Sequence, residues 1–123
     1  MDFIENNYAT YKLEKGVLYI RYHIGITIDL SAAVKIVSDR FKLQAGIAYP
    51  ALCDIRGVRE VNRSARRYLA LEGSVLTKAV AFIIEYPMTA VLWEFYLRSA
   101  KPPIPTQSFV DIDKARKYLM AYL

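Results

Sequence analysis

The chain has 123 residues, of which 54% are hydrophobic, and its formal net charge is +5. Such a chain can bury a sizeable core, which argues against intrinsic disorder, and the mild basic excess falls short of nucleic-acid-binding arms, so no nucleic-acid partner is expected. The longest apolar run, residues 79–84, is too short to cross a bilayer, and the N-terminus lacks a signal peptide pattern. We predict one domain over residues 1–123, in the cytoplasm and without a transmembrane segment.

The first part of the chain predicts a β-hairpin and a helix. Alternating apolar residues indicate strands over Tyr8–Leu13 and Val17–Tyr22, joined by a tight turn. Asp29 or Ser31 caps the helix that follows, and Gly46 ends it. By helical spacing its core-facing stripe consists of Leu30, Ala33, Val34, Val37, Phe41 and Ala45, with Lys35, Ser38, Asp39 and Lys42 on the other side.

The middle of the chain predicts a buried strand that leads into a turn and a second helix. Residues 51–55 are almost continuously apolar, which is typical of a strand covered on both faces of a sheet. The chain turns at Gly57, continues through a short segment, and enters a helix between Asn62 and Ser64. We expect Gly73 to stop this helix.

The last part of the chain predicts two further strand–helix units. Residues 78–85 form an apolar strand and residues 88–99 an aromatic helix, which a proline-rich loop over 101–105 ends. Residues 107–110 form an edge strand, and Asp111 caps the last helix. The buried stripe of this helix is predicted to consist of Ile112, Ala115, Leu119 and Tyr122. The order β-β-α-β-α-β-α-β-α predicts an α/β fold, a single mixed β-sheet with helices packed on it.

The residue types that catalysis or metal binding needs are sparse. The one histidine, His23, and the one cysteine, Cys53, have no ligand spacing, so no metal site is predicted. His23 is expected to be structural or exposed, and Cys53, inside an apolar strand, a core thiol and not a nucleophile. Glycine-rich nucleotide-binding motifs are lacking. We therefore expect no cofactor and no enzymatic activity.

An arginine cluster precedes and enters the second helix. Three of its members stand at i, i+3 and i+4, which predicts one shared helix face near the helix N-terminus, suited to an anion or an acidic partner. The alternative is a solvated face balanced by Glu60 and Glu72. The five arginines are Arg56, Arg59, Arg63, Arg66 and Arg67.

The aromatic helix over residues 88–99 carries apolar groups in more than one direction. Most of them are expected to be core. The remainder, Trp93 and Leu97 together with Tyr96, would line a ligand pocket or cover a partner, which also allows a homodimer.

The central stretch resembles STAS domains of the anti-sigma factor antagonist kind. In that family a buried strand ends in Asp and is followed by a glycine turn and a D-S-S-G sequence at a helix start. Asp54, Gly57, Val58 and Val61 match in kind and register, Asn62 stands at the Asp position, and Ser64 at the phosphorylated Ser, whereas Arg56, Arg63 and Ala65 depart from the pattern. The segment from Phe109 to Leu119 is also similar to STAS and SEC14-like bacterial domains.

The resemblance implies a non-enzymatic module that works by binding. The leading hypothesis is a regulatory protein whose partner is a kinase or an anti-sigma-like protein. Ser64 is then the candidate phosphoacceptor, and Asn62 and the arginines form the contact surface. The alternative role for Ser64 is a helix cap alone. The alternative function is a SEC14-like carrier of a lipid or another small molecule.

Overall fold

Alternating buried and exposed residues form strands that assemble into two β-sheets. The computed structural model of the protein describes residues 2–85 and 102–123. Its described strands and helices are β1 (Phe3–Glu5), β2 (Ala9–Glu14), β3 (Val17–Tyr22), β4 (Ile26–Ile28), α1 (Leu30–Gln44), β5 (Tyr49–Asp54), β6 (Val58–Val61), α2 (Arg63–Leu71), β7 (Thr77–Ile83), β8 (Thr106–Phe109) and α3 (Ile112–Leu119), with 3₁₀ turns over Glu72–Ser74 and Met120–Tyr122.

The larger sheet has six strands in the order β1-β2-β3-β5-β7-β8. The first three strands pair antiparallel, as a hairpin extended by β1, and the pairs from β3 to β8 are parallel. In the parallel part Ile20, Cys53 and Phe82 are neighbours across β3, β5 and β7. The predicted α/β class, with a mixed sheet and helices packed on it, is therefore confirmed.

Helices cover both faces of the parallel part of this sheet. Cys53 of β5 packs in one core cluster with Ile36 of α1 and Ala65 of α2. Leu52, the next residue to the N-terminal side, packs in a second cluster with Leu119 of α3 on the opposite face. This arrangement explains why β5 reads as an uninterrupted apolar run, since neither of its faces meets water.

The predicted element order matches the structure only roughly. A single sheet was predicted, but β4 and β6 form a separate two-stranded parallel sheet. Neither β1 nor β4 was predicted as a strand. Both are three residues long, too short for alternation to be distinguished from chance. The predicted helix over residues 88–99 lies outside the described residues.

The predicted core stripe of α1 is partly wrong. Asp29 is the N-cap, accepting a hydrogen bond of 2.8 Å from the backbone N–H of Ala32, and Ala45 ends the helix in a left-handed conformation. Leu30 and Val34, predicted to be buried, are 45% and 42% exposed. The face that packs on the sheet consists of Ala32, Ala33, Ile36, Val37, Asp39, Arg40, Leu43 and Gln44.

Two buried charged residues account for this shift of the helix face. The carboxylate of Asp39 accepts a 2.9 Å hydrogen bond from Asn6 and lies within 3.5 Å of the ammonium groups of Lys35 and Lys42. Arg40 is only 4% exposed and donates to groups in the segment before β7. Asn6 and the acceptors of Arg40 are more than thirty residues away in sequence, so the helical periodicity alone placed Asp39 on the solvent side.

The other helix boundaries are close to the predicted ones. Helix α2 ends at Leu71, and Gly73 lies in the 3₁₀ turn that follows. Asp111 caps α3, accepting from the backbone of Asp113. The predicted buried stripe of α3 is confirmed, because Ala115 and Leu119 are fully buried and the two other predicted members, Ile112 and Tyr122, pack against them.

A close crossing of two connections fixes Gly57. A Cβ atom at this position would lie 2.8 Å from the backbone oxygen of His23 and 2.9 Å from that of Tyr22. The carbonyl of Gly57 accepts a 2.7 Å hydrogen bond from the backbone N–H of Gly25. Any side chain at residue 57 would therefore push the β5–β6 turn away from the chain that leads from β3 to β4.

We predict that Gly57→Ala lowers the free energy of unfolding by about 1–3 kcal/mol, because the clash is with backbone atoms that cannot rotate away. The matched control is Gly73→Ala, whose added Cβ would meet its nearest neighbour, Leu69, at 3.7 Å. Urea denaturation of both variants measures the difference. Equal stability of the two variants would contradict the crossing.

Candidate functional site

The turn between β5 and β6 is held by an ion pair between Asp54 and Arg56. The carboxylate accepts from Nε of Arg56 at 2.9 Å and from its Nη2 at 2.7 Å, and it also accepts from the backbone N–H of the same residue at 3.1 Å. Arg21 on β3 lies 4.0 Å away. Arg56 is therefore engaged by its own turn, unlike the free anion-binding role predicted for it.

The same contacts decide the protonation state of Asp54. Burial raises the pKa of this carboxyl, but the hydrogen bonds from Arg56 and the charges of Arg56 and Arg21 outweigh burial and leave the pKa below its ordinary value of 3.8. Asp54 is thus a carboxylate at neutral pH. It acts as a fixed negative anchor for the turn.

Helix α2 begins at Asn62, whose side-chain oxygen accepts a 2.9 Å hydrogen bond from the backbone N–H of Ala65. Ser64 is the second helical residue, is exposed, and makes no side-chain hydrogen bond among the described residues. The alternative role of Ser64 as the helix cap is therefore wrong. The cap at the Asn62 position leaves the Ser64 hydroxyl accessible, beside the positive end of the helix dipole.

The N-termini of α1 and α2 lie side by side. Ile28 at the end of β4 and Val61 at the end of β6 are register partners, and the backbone N–H of Asn62 donates to the carbonyl of Ile28 at 3.1 Å. Each helix starts within two residues of its strand. Two helix dipoles therefore point their positive ends toward the same region, which favours negative charge there.

The arginines of α2 do not share one face as predicted. Arg63 and Arg67 are exposed, and neither forms an ion pair with any described residue. Arg66 is half-buried and donates a 2.6 Å hydrogen bond to the carbonyl of Val61. Arg59, on β6, is exposed. Four exposed residues of β6 and α2 are together called the α2 surface: Arg59, Arg63, Ser64 and Arg67.

The predicted balancing of the arginines by acidic neighbours is not seen in the structure. Glu60 and Glu72 are exposed, and neither forms an ion pair in the part of the chain that the structure describes. The α2 surface is consequently a cationic surface and its arginine side chains remain available to a partner.

A cavity of about 90 Å³ lies between the sheet and helices α1 and α2, which we call the α1–α2 cavity. Its lining is mainly aliphatic, but Arg40 and Arg66 contribute to it. Pro102 and Thr106 also line it. The pocket predicted from the aromatic helix, with Trp93, Tyr96 and Leu97, lies outside the described residues, as does the homodimer surface predicted there.

The two residues considered for catalysis have structural surroundings. His23 is half-buried, with Nδ1 3.1 Å from the carbonyl oxygen of Asn7 and Nε2 3.3 Å from the carboxylate of Glu5. Cys53 is buried in β5, and burial raises the pKa of its thiol to about 12. Its thiol therefore stays protonated at neutral pH. Across residues 2–85 and 102–123, no cluster of His, Cys, Asp or Glu suits a metal ion.

The cap assignment predicts that Asn62→Ala lowers the free energy of unfolding by about 1 kcal/mol, because the N–H of Ala65 loses its acceptor. Ser64→Ala is the matched control, two residues away on the same helix, and should change stability by less than about 0.5 kcal/mol. Thermal and urea unfolding of the two variants measure this. A larger loss in Ser64→Ala than in Asn62→Ala would show that the cap is wrongly assigned.

The lowered pKa of Asp54 predicts a pH-dependent contribution to stability. A carboxyl with a folded-state pKa below the unfolded value stabilises the fold above the unfolded pKa, and this contribution is lost as the pH falls through the folded pKa. Asp54→Asn should therefore be less stable than the wild type by about 1–2 kcal/mol at pH 7, and the gap should shrink below about pH 4.

Asp113→Asn is the control for this pH dependence, since Asp113 is 89% exposed in its pair with Arg116. Its stability should follow that of the wild type from pH 7 to pH 3. A constant gap between the wild type and Asp54→Asn over that range would contradict the role of the Asp54 carboxylate.

Comparisons with known proteins agree with this fold. An uncharacterised protein from Shewanella loihica PV-4, of the DUF3478 family and with a SpoIIAA-like fold, is similar in structure with a TM-score of 0.64 and 16% identity, covering 94% of this chain and 98% of that chain. The resemblance predicted from the central stretch is thus confirmed for the fold. No curated protein matches, and no described helix is long and apolar enough to span a membrane. Residues 11–123 match the family described as a domain of unknown function, DUF7793, and the chain belongs to that family.

Proposed function

We propose that the protein is a non-enzymatic regulatory module that binds a protein partner through the α2 surface and is switched by phosphorylation of Ser64. The observation that carries this proposal is the position of Ser64. Its hydroxyl is exposed at the second residue of α2, next to the exposed Arg63 and one helical turn before the exposed Arg67. A kinase can reach such a group without unfolding the helix.

The electrostatics of the α2 surface suit an acidic partner. Arg59, Arg63 and Arg67 give it three positive charges, and two helix N-termini add the positive ends of their dipoles. Opposite charge on a partner would steer association and fix its orientation. The SpoIIAA-like fold, which the similar structure also has, is a suitable scaffold for binding a partner, because its strands and helices hold the α2 surface in place.

A phosphate on Ser64 would change this surface without changing the fold. It brings about −1.5 to −2 charges, which the helix dipole tolerates and which Arg63 and Arg67 are placed to pair with. The surface then passes from strongly basic to nearly neutral. An acidic partner would lose most of its attraction, so phosphorylation would release it.

The first test is the covalent state of Ser64. Protein purified from its own cells at low salt should show, by intact mass and peptide fragmentation, a fraction carrying one phosphate on Ser64, and the Ser64→Ala variant should lack it. The native mass under the same conditions reports a bound partner. The switch would be contradicted if phosphate were found only on other residues. It would also be contradicted if protein that has released its partner carried no phosphate at all.

The second test concerns the partner surface. We expect the partner retained by the wild-type protein to be lost, by about tenfold or more in affinity, from Ser64→Asp and from the double variant Arg63→Glu/Arg67→Glu. The matched controls are Ser38→Asp, which adds the same charge at an exposed serine of α1, and the double variant Lys114→Glu/Lys117→Glu at two exposed lysines of α3. Both should bind like the wild type. Equal loss in the controls would assign the effect to net charge and would overturn the α2 surface as the contact.

A further inference from the structure

In the described part of the chain, helices cover the antiparallel half of the large sheet mainly on one face. Tyr11 of β2 packs in the core cluster beneath α1, whereas on the opposite face α3 packs mainly on β5 and β7. On that opposite face Phe3, Lys12 and Tyr19 are register partners across β1, β2 and β3. Phe3 is 50% exposed and the side chain of Lys12 is 54% exposed. A groove of about 450 Å³ lies here beside α3, and we call it the sheet groove.

Four cationic side chains from separate parts of the chain line the sheet groove. They come from β2, β3, the β5–β6 turn and α3, and they are Lys12, Arg21, Arg56 and Arg116. They are separated in sequence and form no run of charge. The sequence-based expectation of no nucleic-acid partner rested on the small overall excess of basic residues, whereas the fold brings these four side chains to one groove.

The carboxylates in the described lining of the groove neutralise two of these cations. Glu14 lies 2.6 Å from the ammonium group of Lys12, and Asp54 accepts from two side-chain nitrogens of Arg56. Arg21 lies 4.0 Å from the same Asp54 carboxylate, and its side chain is 75% exposed. Because that carboxylate is already bound by Arg56, Arg21 remains available to an anionic ligand.

Arg116 is the second cation that is available to a ligand. Its Nε donates to the hydroxyl of Tyr19 at 3.3 Å, and its guanidinium carbon lies 5.7 Å from the centre of the Tyr19 ring. Its ion pair with Asp113 spans 3.4 Å, and the side chain of Asp113 is 89% exposed. Lys12 is the register partner of Tyr19 on β2, and Arg21 follows two residues later on the same face of β3. The Tyr19 ring therefore lies among three cationic side chains.

An aromatic ring among cations suits a ligand that has both flat bases and phosphates. Proteins bind single-stranded nucleic acid on sheets in this way, with bases stacked on aromatic side chains and the backbone held by Arg and Lys. Phe3 provides a second ring in the same row, two strands or about 9–10 Å from Tyr19. An acidic peptide has no group that requires the rings, and a duplex keeps its bases stacked inside.

We infer that the sheet groove binds single-stranded nucleic acid, with two bases on Tyr19 and Phe3 and phosphates on Arg21 and Arg116. The volume of the groove lies within the range of about 300–1,000 Å³ that is usual for ligand sites. The groove is on the face of the sheet opposite α1 and α2. This site is therefore separate from the α2 surface and from its proposed protein partner.

The test is the fluorescence anisotropy of a labelled single-stranded RNA of about ten nucleotides, titrated with the full chain. We expect saturable binding with a Kd below about 0.1 mM at about 50 mM salt. A double-logarithmic plot of the binding constant against salt concentration should have a slope of about −1.4, which corresponds to two phosphate contacts on a single strand.

Unlabelled competitors distinguish the ligand classes. A duplex RNA of the same sequence and a polyglutamate peptide should each displace the labelled strand at least about tenfold less well than the unlabelled single strand does. Equal displacement by either competitor, or no saturable binding of the single strand, would overturn the inference.

Variants locate the site, and both replaced side chains are exposed enough for the protein to fold. Arg21→Gln should weaken RNA binding by about threefold or more and make the salt slope shallower by about 0.7, since one phosphate contact is lost. Phe3→Leu keeps an apolar side chain but removes a ring, so it should weaken binding by about fivefold or more without changing the slope.

Each variant has a matched control outside the groove. Arg67→Gln removes the same charge from the α2 surface, and Phe41→Leu removes a ring from α1. Both controls should bind RNA like the wild type, and thermal unfolding checks that all four variants are folded. An equal loss in Arg67→Gln and Arg21→Gln, or wild-type affinity in a folded Arg21→Gln variant, would place the strand elsewhere and overturn the site.

Discussion

The crossing at Gly57 is the constraint on which the site depends. The chain that leads out of β3 passes over the β5–β6 turn at a distance that leaves no space for a Cβ atom, and the Gly25–Gly57 hydrogen bond joins the two segments. From this crossing β4 and β6 continue as paired strands. Because α1 and α2 start immediately after them, their N-termini are brought together. A glycine in a turn thus determines where two helix dipoles point.

Two neighbouring charged residues on α1 show how differently the fold accommodates burial. Asn6 donates to both the carboxylate of Asp39 and the hydroxyl of Tyr11, which joins the β1–β2 connection to the helix. Burial raises the pKa of Tyr11, so its hydroxyl remains protonated. Arg40 by contrast donates, among the described residues, to the carbonyls of Gly73 and Val75 and to the hydroxyl of Thr77. Neutral carbonyls stabilise a guanidinium less than a carboxylate does, so the burial of Arg40 is compensated less fully than that of Asp39.

The sequence predicted the strands and helices that have strong periodicity, and it missed features set by long-range contacts. The hairpin, β5 and the α3 stripe have local patterns that survive in the structure. The face of α1 was misjudged because Asp39 and Arg40 find partners more than thirty residues away. Arg66 was grouped with Arg63 and Arg67 by spacing, although its hydrogen bond to Val61 draws it inward. The motif around Ser64 indicated the right helix, but only the geometry separates Asn62 as cap from Ser64 as an exposed hydroxyl.

Helix α2 divides its arginines between the interior and the surface. Arg66 borders the α1–α2 cavity, and Arg63 and Arg67 belong to the α2 surface. The hydrogen bond from Arg66 to the carbonyl of Val61 ties the first turn of the helix to the strand before it, and the side chain of Asn62 caps the same turn. The proposed phosphate on Ser64 would therefore act on a surface whose position is already fixed. Its effect on a partner would come from the change of charge and not from a change of fold.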